Sequence, residues 1–339
     1  MENNAATTGN YLPSNKITKY ADTQLTVQYQ TGLDIIGVGA AGQVYNVDDR
    51  IVLKACRIYQ RPSSEATPRA LWDYASEKHH HPNIIEPIHT DHPEGMYIHK
   101  YQPLSALTQE SQSDRIFRYQ DIIRALVHLH GLRIAHSDIR KDNILFDQQG
   151  HALLSDFGAS CPFGYPNPSY PVLSNGPSET VSGATDRFAM GSLIYELEHG
   201  IRSEISMDDR DRLILPQINT GHDGLDSLIE NAWCGKFDST TDMLNHAECL
   251  NAVQDSRGPV EHPVSKAELI TRITQWRKNR EEQHGCILYS IPTESQLQIL
   301  ADGYGWKMGE EMRFLDESSV LPRNEFSGWF YLIAEGLFT

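Results

Sequence analysis

Three oxygen-bearing side chains stand at a spacing that suits transfer of a phosphoryl group. Asp138 comes five residues before Asn143, and Asp156 follows thirteen residues after Asn143, within Asp156-Phe157-Gly158. Such chemistry needs one carboxylate to orient the attacking hydroxyl group, with a second carboxylate and an amide oxygen to hold Mg²⁺. We therefore predict that Asp138 accepts or orients the hydroxyl proton, and that Asn143 and Asp156 bind Mg²⁺ against the phosphates of ATP.

Arg140 lies two residues after Asp138. Its guanidinium would bring a positive charge within reach of the transferred γ-phosphate. The plainer alternative is that the nearby carboxylates are solvated and that one of them caps a helix. The motif follows a glycine-rich segment and a lysine along the chain, and this order favours the catalytic interpretation.

The glycine-rich segment lies upstream, between two predicted strands. Gly37, Gly39 and Gly42 follow the pattern GxGxxGxV, which ends at Val44. Glycines let backbone N–H groups approach phosphate oxygens because no Cβ stands in the way, although the pattern alone is more typical of a turn. A dinucleotide-binding fingerprint would need a helix directly after the glycines, whereas here a strand is predicted. We therefore expect a hairpin that covers phosphates.

Lys54 ends the predicted strand Ile51-Val52-Leu53-Lys54, twelve residues after Gly42. A lysine at a strand end is ordinarily a surface residue. The glycine-rich segment ahead of it favours pairing of Lys54 with the α- and β-phosphates. Val52 would then pack on a face of the adenine ring.

The predicted elements divide the chain into a strand-rich first part and a helix-rich second part, with a boundary near Pro103. Alternating apolar residues predict strands between residues 25 and 60 and again at 96–101. Helical composition, apolar spacing and a capping box at Ser265 predict helices at 63–80, 116–129, 184–197, 225–233 and 265–283. A second capping box predicts a short helix over 293–302. The polar residues 1–24 predict a flexible tail, and Trp306 and Trp329 predict a C-terminal end docked on the body.

Composition narrows the classes of protein to consider. The chain has 339 residues, of which 39% are hydrophobic and 22% charged, as in a soluble globular protein. Its net charge of −16 argues against nucleic-acid or anionic-membrane partners, since both attract basic surfaces. Five cysteines without CxxC spacing predict reduced thiols. Without a signal-peptide pattern or an apolar run of membrane-spanning length, the sequence predicts an intracellular protein, cytoplasmic or nuclear.

Together these motifs resemble the eukaryotic protein kinase superfamily, and most of all divergent, fungal-type protein-kinase-like proteins with an HSD catalytic loop. The resemblance covers about residues 30–254. Further marks agree with it: His81-Pro82-Asn83-Ile84-Ile85, the approach to the catalytic loop at 129–136, the pair Asp186 and Gly191, and Trp233-Cys234.

The resemblance implies an α+β, bilobal fold that uses ATP and Mg²⁺ and acts on a protein substrate. Its expected parts are a small β-rich N-lobe over 25–102, a larger helical C-lobe over 103–254 and a helical C-terminal extension over 255–339, packed on the kinase body. His136 and Phe157 are then core residues, and Asp186 accepts backbone N–H bonds that steady the catalytic loop. The resemblance adds these nucleotide contacts: Val44, Lys100, Tyr101, Gln102 and Leu145.

The chain departs from the family pattern at three places. Ser137 stands where the family has an arginine, and a serine cannot pair with a phosphate on the activation segment. The glutamate expected to pair with Lys54 is out of register, and we choose Glu65. Only Pro177-Ser178-Glu179 resembles the end of the activation segment.

Three interpretations stay open at this point. The first is an active protein kinase, directed at Ser or Thr because of the positive charge at Arg140. The second is a pseudokinase that acts as a scaffold or a nucleotide-sensing module, as the departures around Glu65 and Glu179 suggest. The third is a small-molecule kinase, since such enzymes share HxD chemistry.

Overall fold

The computed structural model describes residues 18–20, 23–29, 35–38, 42–56, 58–60, 80–92, 95–104, 111–167, 169, 173–210, 212–251, 255–258, 264–284 and 289–291. The chain divides into two compact units. Unit 1 comprises residues 1–63, 89–97 and 266–339, and unit 2 comprises residues 64–88 and 98–265. The sequence-based boundaries at 102 and 254 differ from this division, because residues distant in sequence join unit 1.

The strands are short and follow the predicted pattern in the first part of the chain. In chain order they are β1 Thr18–Tyr20, β2 Thr23–Tyr29, β3 Ile35–Val38, β4 Gly42–Asn46, β5 Ile51–Cys56, β6 Ile58–Gln60, β7 Pro87–His92, β8 Gly95–His99, β9 Gln102–Pro103, β10 Ile134–Ala135, β11 Ile144–Phe146, β12 Ala152–Leu154, β13 Cys161–Pro162, β14 Ser206–Met207, β15 Leu213–Ile214 and β16 Tyr289–Ile291. Strand β1 lies near the end of the predicted tail over 1–24 and pairs with β2. Composition does not reveal such cross-strand pairing.

The helices, in chain order, are α1 Gln112–Gly131, α2 Gly183–His199, α3 Asp223–Trp233, α4 Thr240–Glu248 and α5 Lys266–His284. Four of these confirm predicted helices, and α4 was not predicted. Its signal is a capping box, in which the Ser239 side chain accepts from the Asp242 N–H and the Asp242 side chain accepts from the Ser239 N–H. The predicted helices at 63–80 and 293–302, and with them Glu65, Trp306 and Trp329, lie outside the described residues. No helix in the described part is long and apolar enough to cross a membrane.

A five-stranded sheet has the order β3-β4-β5-β8-β7, and unit 1 contains all of it except the first two residues of β7 and the last two of β8. The turn between β4 and β5 is closed by Asp48, whose Oδ1 accepts the N–H groups of Arg50 at 2.8 Å and Ile51 at 2.9 Å. Tyr45, Ile51 and Tyr97 are buried in the core of the sheet. A second, smaller sheet pairs β2 with β1, β6 and β16.

Helix α5 packs within unit 1. Leu269 and Ile273, four residues apart on its buried face, are fully enclosed. Trp276, one turn further, meets Tyr97 edge-on with the ring centroids 5.9 Å apart. Arg272 pairs with the two carboxylates of the β4–β5 turn, Asp48 and Asp49, at 2.6 Å each. The helix therefore forms part of unit 1, although its sequence follows unit 2.

Unit 2 is built around helix α1, whose predicted apolar face is buried. Helices α2 and α3 pack closely because Gly191 has no side chain. A Cβ at that position would come within 2.9 Å of the Ala232 Cβ and 3.3 Å of the Trp233 ring. The close approach explains why a glycine is required there.

A four-residue segment, 255–258, binds helix α1 through Arg257. The guanidinium donates to the buried Asp121 carboxylate at 2.7 Å and 3.3 Å, to Asp255 at 2.8 Å and to the Gly150 carbonyl at 3.1 Å. Asp121 also accepts from Arg124 at 3.2 Å. Because Asp121 is only 2% exposed, its charge depends on these partners.

We expect the Arg257→Met variant to lose about 3 kcal/mol of unfolding free energy, since removing one partner strands a buried charge. The urea midpoint of unit 2, followed by tryptophan fluorescence, measures the loss. Arg124→Met is the matched control, because Arg124 is one-third exposed and its loss is expected to cost about 1 kcal/mol or less. Equal shifts for the two variants would contradict this assignment.

Candidate active site

The β11–β12 hairpin brings Asn143 and Asp156 to one place. Its register pairs Ile144 with Leu154, so the residues just before β11 and just after β12 meet at one end. There the Ser155 N–H and hydroxyl group both donate to the Asn143 carbonyl, at 2.9 Å each. Asp156, the next residue, is thus next to the Asn143 main chain.

Asn143 also holds Asp138. Its Nδ2 donates to the Asp138 carbonyl at 2.8 Å and to Asp138 Oδ2 at 2.7 Å. Because the amide nitrogen is used in this way, Oδ1 is the atom of Asn143 that remains as a cation ligand. The structure therefore brings together the three side chains predicted from their spacing.

Two carboxylates, Asp138 and Asp156, lie close enough for the charge of one to affect the ionisation of the other. Burial raises the pKa of Asp138, and the negative charge of Asp156 adds to that rise, against the opposing effects of Arg140 and Asn143. Asp156 also has a left-handed backbone, with φ 58°, which is uncommon for a non-glycine residue and is found at functional sites. Hard oxygen ligands of this kind suit Mg²⁺.

Among the described residues, no group of three or more His, Cys, Asp or Glu side chains is placed to hold a metal ion. A magnesium site here would thus use the Asn143 amide oxygen and the Asp156 carboxylate, with phosphate oxygens and water as the further ligands. Mg²⁺ typically binds in this way, through few protein ligands.

Arg140 has one nitrogen suited to an anion. Its Nη2 donates to Asp142 Oδ2 at 2.5 Å. Its Nε is buried and has no hydrogen-bond partner in the described part of the chain. A buried guanidinium N–H in this state fits a phosphate oxygen as its acceptor.

Asp186 fixes the loop that carries Asp138. The side chain is fully buried, and its two oxygens accept the N–H groups of His136 at 2.7 Å and Ser137 at 2.9 Å. Oδ2 also bonds to His130 Nε2 at 2.9 Å. Burial opposes ionisation of Asp186, but these hydrogen bonds outweigh it and lower the pKa of the carboxyl group. The predicted role of Asp186 is thereby confirmed in its geometry.

His136 is a core residue, as predicted. It is fully buried and meets the Phe157 ring edge-on at 5.1 Å. Its Nε2 bonds to the Ser155 carbonyl at 2.9 Å, and its Nδ1 accepts the Asp138 N–H at 3.3 Å. Both ring nitrogens are therefore bonded to the main chain, which suits a positioning residue better than an acid–base group.

In unit 2, β9 pairs with β11, so that Leu145 lies opposite Pro103 and Gln102 opposite Phe146. Gln102 and Lys100 are exposed. The Tyr101 hydroxyl accepts the Glu86 N–H at 3.2 Å, and burial raises its pKa well above the usual range. The Tyr101 side chain is therefore bonded to the Glu86 main chain, and the nucleotide contact at Tyr101 stays a prediction.

In unit 1, the register of β4 and β5 places Val44 directly opposite Lys54. Val52, two residues before Lys54, lies on the same face of the strand. Gly37 in β3 pairs with Val44, and β4 begins at Gly42, which confirms the predicted hairpin in place of a strand–helix turn. Gly39 lies outside the described residues.

A family model described as a protein kinase domain matches residues 31–203, just over half of the chain. The chain belongs to the protein kinase family. The match includes every predicted site residue of this kinase and ends shortly after α2, whereas the resemblance in the sequence extended to about residue 254. The fungal-type subgroup stays a prediction.

The kinase is also similar to several curated relatives over part of its length. It is 31% identical to serine/threonine-protein kinase shk1/pak1 of Schizosaccharomyces pombe over 36% of this chain and 20% of that protein. It is 30% identical to serine/threonine-protein kinase Sgk2 of Homo sapiens over 27% of this chain and 28% of that protein. It is 31% identical to beta-adrenergic receptor kinase 1 of Homo sapiens over 26% of this chain and 14% of that protein. The matched region is thus less than a third of the length of each relative.

A chain from a structure of the CAK complex from Chaetomium thermophilum bound to ATP-gamma-S has a TM-score of 0.49 to this kinase and 17% sequence identity. The alignment covers 68% of this chain and 93% of that chain.

Ser137 shows what the kinase has in place of the family's arginine. The residue is buried and has a left-handed backbone, with φ 66°. Its N–H donates to Asp186 Oδ1 at 2.9 Å, and its carbonyl accepts from Asn175 Nδ2 at 2.8 Å. Both main-chain polar groups of Ser137 are therefore hydrogen-bonded. Sequence analysis missed Asn175, because Asn175-Gly176 is ordinarily typical of a turn. His130 lies in the predicted approach to the catalytic loop at 129–136, but its bond to Asp186 was not predicted.

Proposed function

We propose that this kinase is an active protein kinase that uses ATP and Mg²⁺ and phosphorylates serine or threonine residues of a protein. The observation that carries the proposal is the pair of bonds from Asn143 Nδ2 to the Asp138 carbonyl and carboxylate. It holds the candidate proton acceptor and a candidate metal ligand as one rigid group, as catalysis by positioning requires. A scaffold would not need this arrangement.

Each residue then has a distinct task. Asp138 orients the substrate hydroxyl group and takes its proton, and its raised pKa makes it a better base than an exposed aspartate. Asn143 and Asp156 would hold Mg²⁺, and Arg140 would bind a phosphate oxygen. ATP, when bound, would supply the phosphoryl group, and Mg²⁺ would neutralise the negative charge of the phosphates. The family resemblance assigns the α- and β-phosphates to Lys54.

The choice of serine or threonine is supported by the positive charge of Arg140 and by the names of two similar kinases. We extend the proposal to an intracellular location, cytoplasmic or nuclear. Two free cysteines, Cys234 and Cys249, are exposed, which suits a reducing compartment.

A transfer assay tests the proposal. The purified chain is incubated with Mg²⁺ and γ-labelled ATP, first with a mixture of basic and acidic proteins and then with a panel of small hydroxyl-bearing metabolites. We expect label on protein serine or threonine, lost when EDTA removes the metal. A parallel Asp138→Asn preparation controls for a co-purifying kinase.

Two other outcomes would overturn the proposal. Thermal stabilisation by ATP without transfer to any acceptor would show a pseudokinase. Transfer to a metabolite but to no protein would show a small-molecule kinase.

A further inference from the structure

An open groove runs along helix α3 in unit 2, and its lining includes none of the predicted site residues. Its volume is about 500 Å³, within the range of sites that hold a ligand. One wall is apolar and consists of Leu215, Pro216 and Ile218. The other wall carries the side chains of Asp223, Asp226 and Glu230. The groove thus has an apolar side and an acidic side.

The apolar wall continues into a hairpin that exposes apolar side chains. Strand β15 ends at Ile214, one residue before the groove, and pairs with β14. Ile214 is 52% exposed and Met207 is 38% exposed. The register pairs Met207 with Leu213 and Ile214 with Ser206, so these two side chains lie on opposite faces of the hairpin. Ile214, the residue next to the groove, therefore extends its apolar wall, whereas Met207 lies on the other face of the hairpin.

Among the described residues, the three carboxylates of the acidic wall share one ion pair. Asp223, Asp226 and Glu230 are spaced at i, i+3 and i+7, on one face of α3. Glu230 pairs with Lys236 at 2.7 Å, and Asp226 Oδ1 accepts from the Thr220 N–H and hydroxyl group. Asp223 has no side-chain hydrogen bond or ion pair within the described residues. Attraction to the helix N-terminus explains the position of the first two acids, but it does not explain the apolar wall opposite them.

We propose that this groove docks a segment of a protein substrate in which basic side chains stand next to apolar ones. This inference rests on the proposed function, since a protein substrate is what such an enzyme would recruit. Basic groups would meet Asp223 and Asp226, while the apolar neighbours would cover Ile218 and Ile214. The groove is open and continuous with the hairpin, so an extended peptide covers more of this surface than a small molecule does.

A binding assay on the full chain tests the proposal. The probe is a short fluorescein-labelled peptide of alternating arginine and leucine, which has no hydroxyl group to accept phosphate. Its twin has glutamate in place of arginine. We expect the basic peptide to bind more tightly, with an affinity that falls as salt is added. Asp223→Lys and Ile214→Glu, both at exposed positions, are each expected to weaken binding by about fivefold or more.

Glu281→Lys is the matched control, because it makes the same charge change at an exposed position in α5, in the other unit. Equal loss of binding in Glu281→Lys and Asp223→Lys would overturn the docking site and show a net-charge effect. Equal binding of the acidic twin would also overturn it.

The kinetic counterpart uses a histone mixture as a basic protein substrate. Asp223→Lys is expected to raise KM for the histones by about fivefold or more with kcat unchanged, since the groove holds the substrate without taking part in the reaction. Wild-type protein that phosphorylates histones but does not bind the basic peptide would overturn the docking site alone. Wild-type protein that binds the peptide but transfers no phosphate would overturn the proposed function alone.

Discussion

Replacing Asp138 by asparagine is expected to lower kcat for phosphoryl transfer by about 10²- to 10⁴-fold, the usual contribution of a positioned general base. Asparagine has nearly the same shape but cannot take a proton. Its side-chain oxygen would still accept the bond from Asn143, so the loop would keep its conformation. We therefore expect the Kd for ATP and the melting temperature to change little. Steady-state kinetics measures kcat, and calorimetry measures the Kd for ATP and the melting temperature.

Asp142→Asn is the matched control for this substitution. Asp142 belongs to the same loop, but its side chain is 52% exposed, and it pairs with Nη2 of Arg140 and not with the Nε proposed to bind phosphate. Activity should stay within a few-fold of wild type. If the two variants lost activity equally, Asp138 would not be the proton acceptor.

The pH dependence gives an independent check on Asp138. The carboxylate works only when it is deprotonated, and burial raises its pKa. As the pH falls, kcat/KM should therefore begin to decline at a higher pH than the pKa of an exposed aspartate would give. In Asp138→Asn this acid limb should disappear from the residual activity. An unchanged acid limb in the variant would assign the titration to another group.

Replacing Asp186 by alanine is expected to remove about 3–5 kcal/mol of unfolding free energy and to abolish transfer. The substitution leaves the N–H groups of His136 and Ser137 and the His130 ring without their charged acceptor in a fully buried site. Each stranded buried donor costs about 1–3 kcal/mol. The loop would also lose the bonds that hold the left-handed Ser137. Denaturant unfolding and the transfer assay measure the two effects.

The stability that Asp186 contributes is expected to fall as the pH is lowered. The pKa of Asp186 is lowered in the folded state, so its contribution is present above the unfolded pKa and is lost as the pH falls through the folded one. Wild type and Asp186→Ala should therefore differ most near neutral pH and converge in acid. Asp238→Ala, at an exposed position, is the control and should change stability by about 0.5 kcal/mol or less. A small, pH-independent difference for Asp186→Ala would contradict the assignment.

Local patterns were enough to predict the elements that carry the site. The strands around Gly37 and Lys54 and the helices α1, α2, α3 and α5 follow from period and capping, because each signal lies within a few residues of the element itself. Helix α4 had the same kind of signal at Ser239 and Asp242 and was overlooked. The strand at Thr18–Tyr20 could not be foreseen, since it depends on its partner in β2.

For the site, the sequence determined the residue types and their order. Asp138, Asn143 and Asp156 were recognisable because phosphoryl transfer and Mg²⁺ restrict which side chains can serve and how far apart they stand. These inferences need only chemistry and spacing. Ser137, by contrast, was recognisable as a departure only through the resemblance to the kinase family, which has an arginine at that position.

Tertiary structure alone decided what holds those residues in place. Asp121 meets Arg257 across 136 residues, Asp186 meets His136 across 50, and Asn175 meets Ser137 across 38. No local pattern records such pairs, because their spacing along the chain is set by loops of arbitrary length, while their energy comes from burial in the folded state. The groove beside α3 is likewise a product of packing. The sequence therefore determined which residues could carry out the chemistry, and the tertiary structure determined which contacts hold them in place.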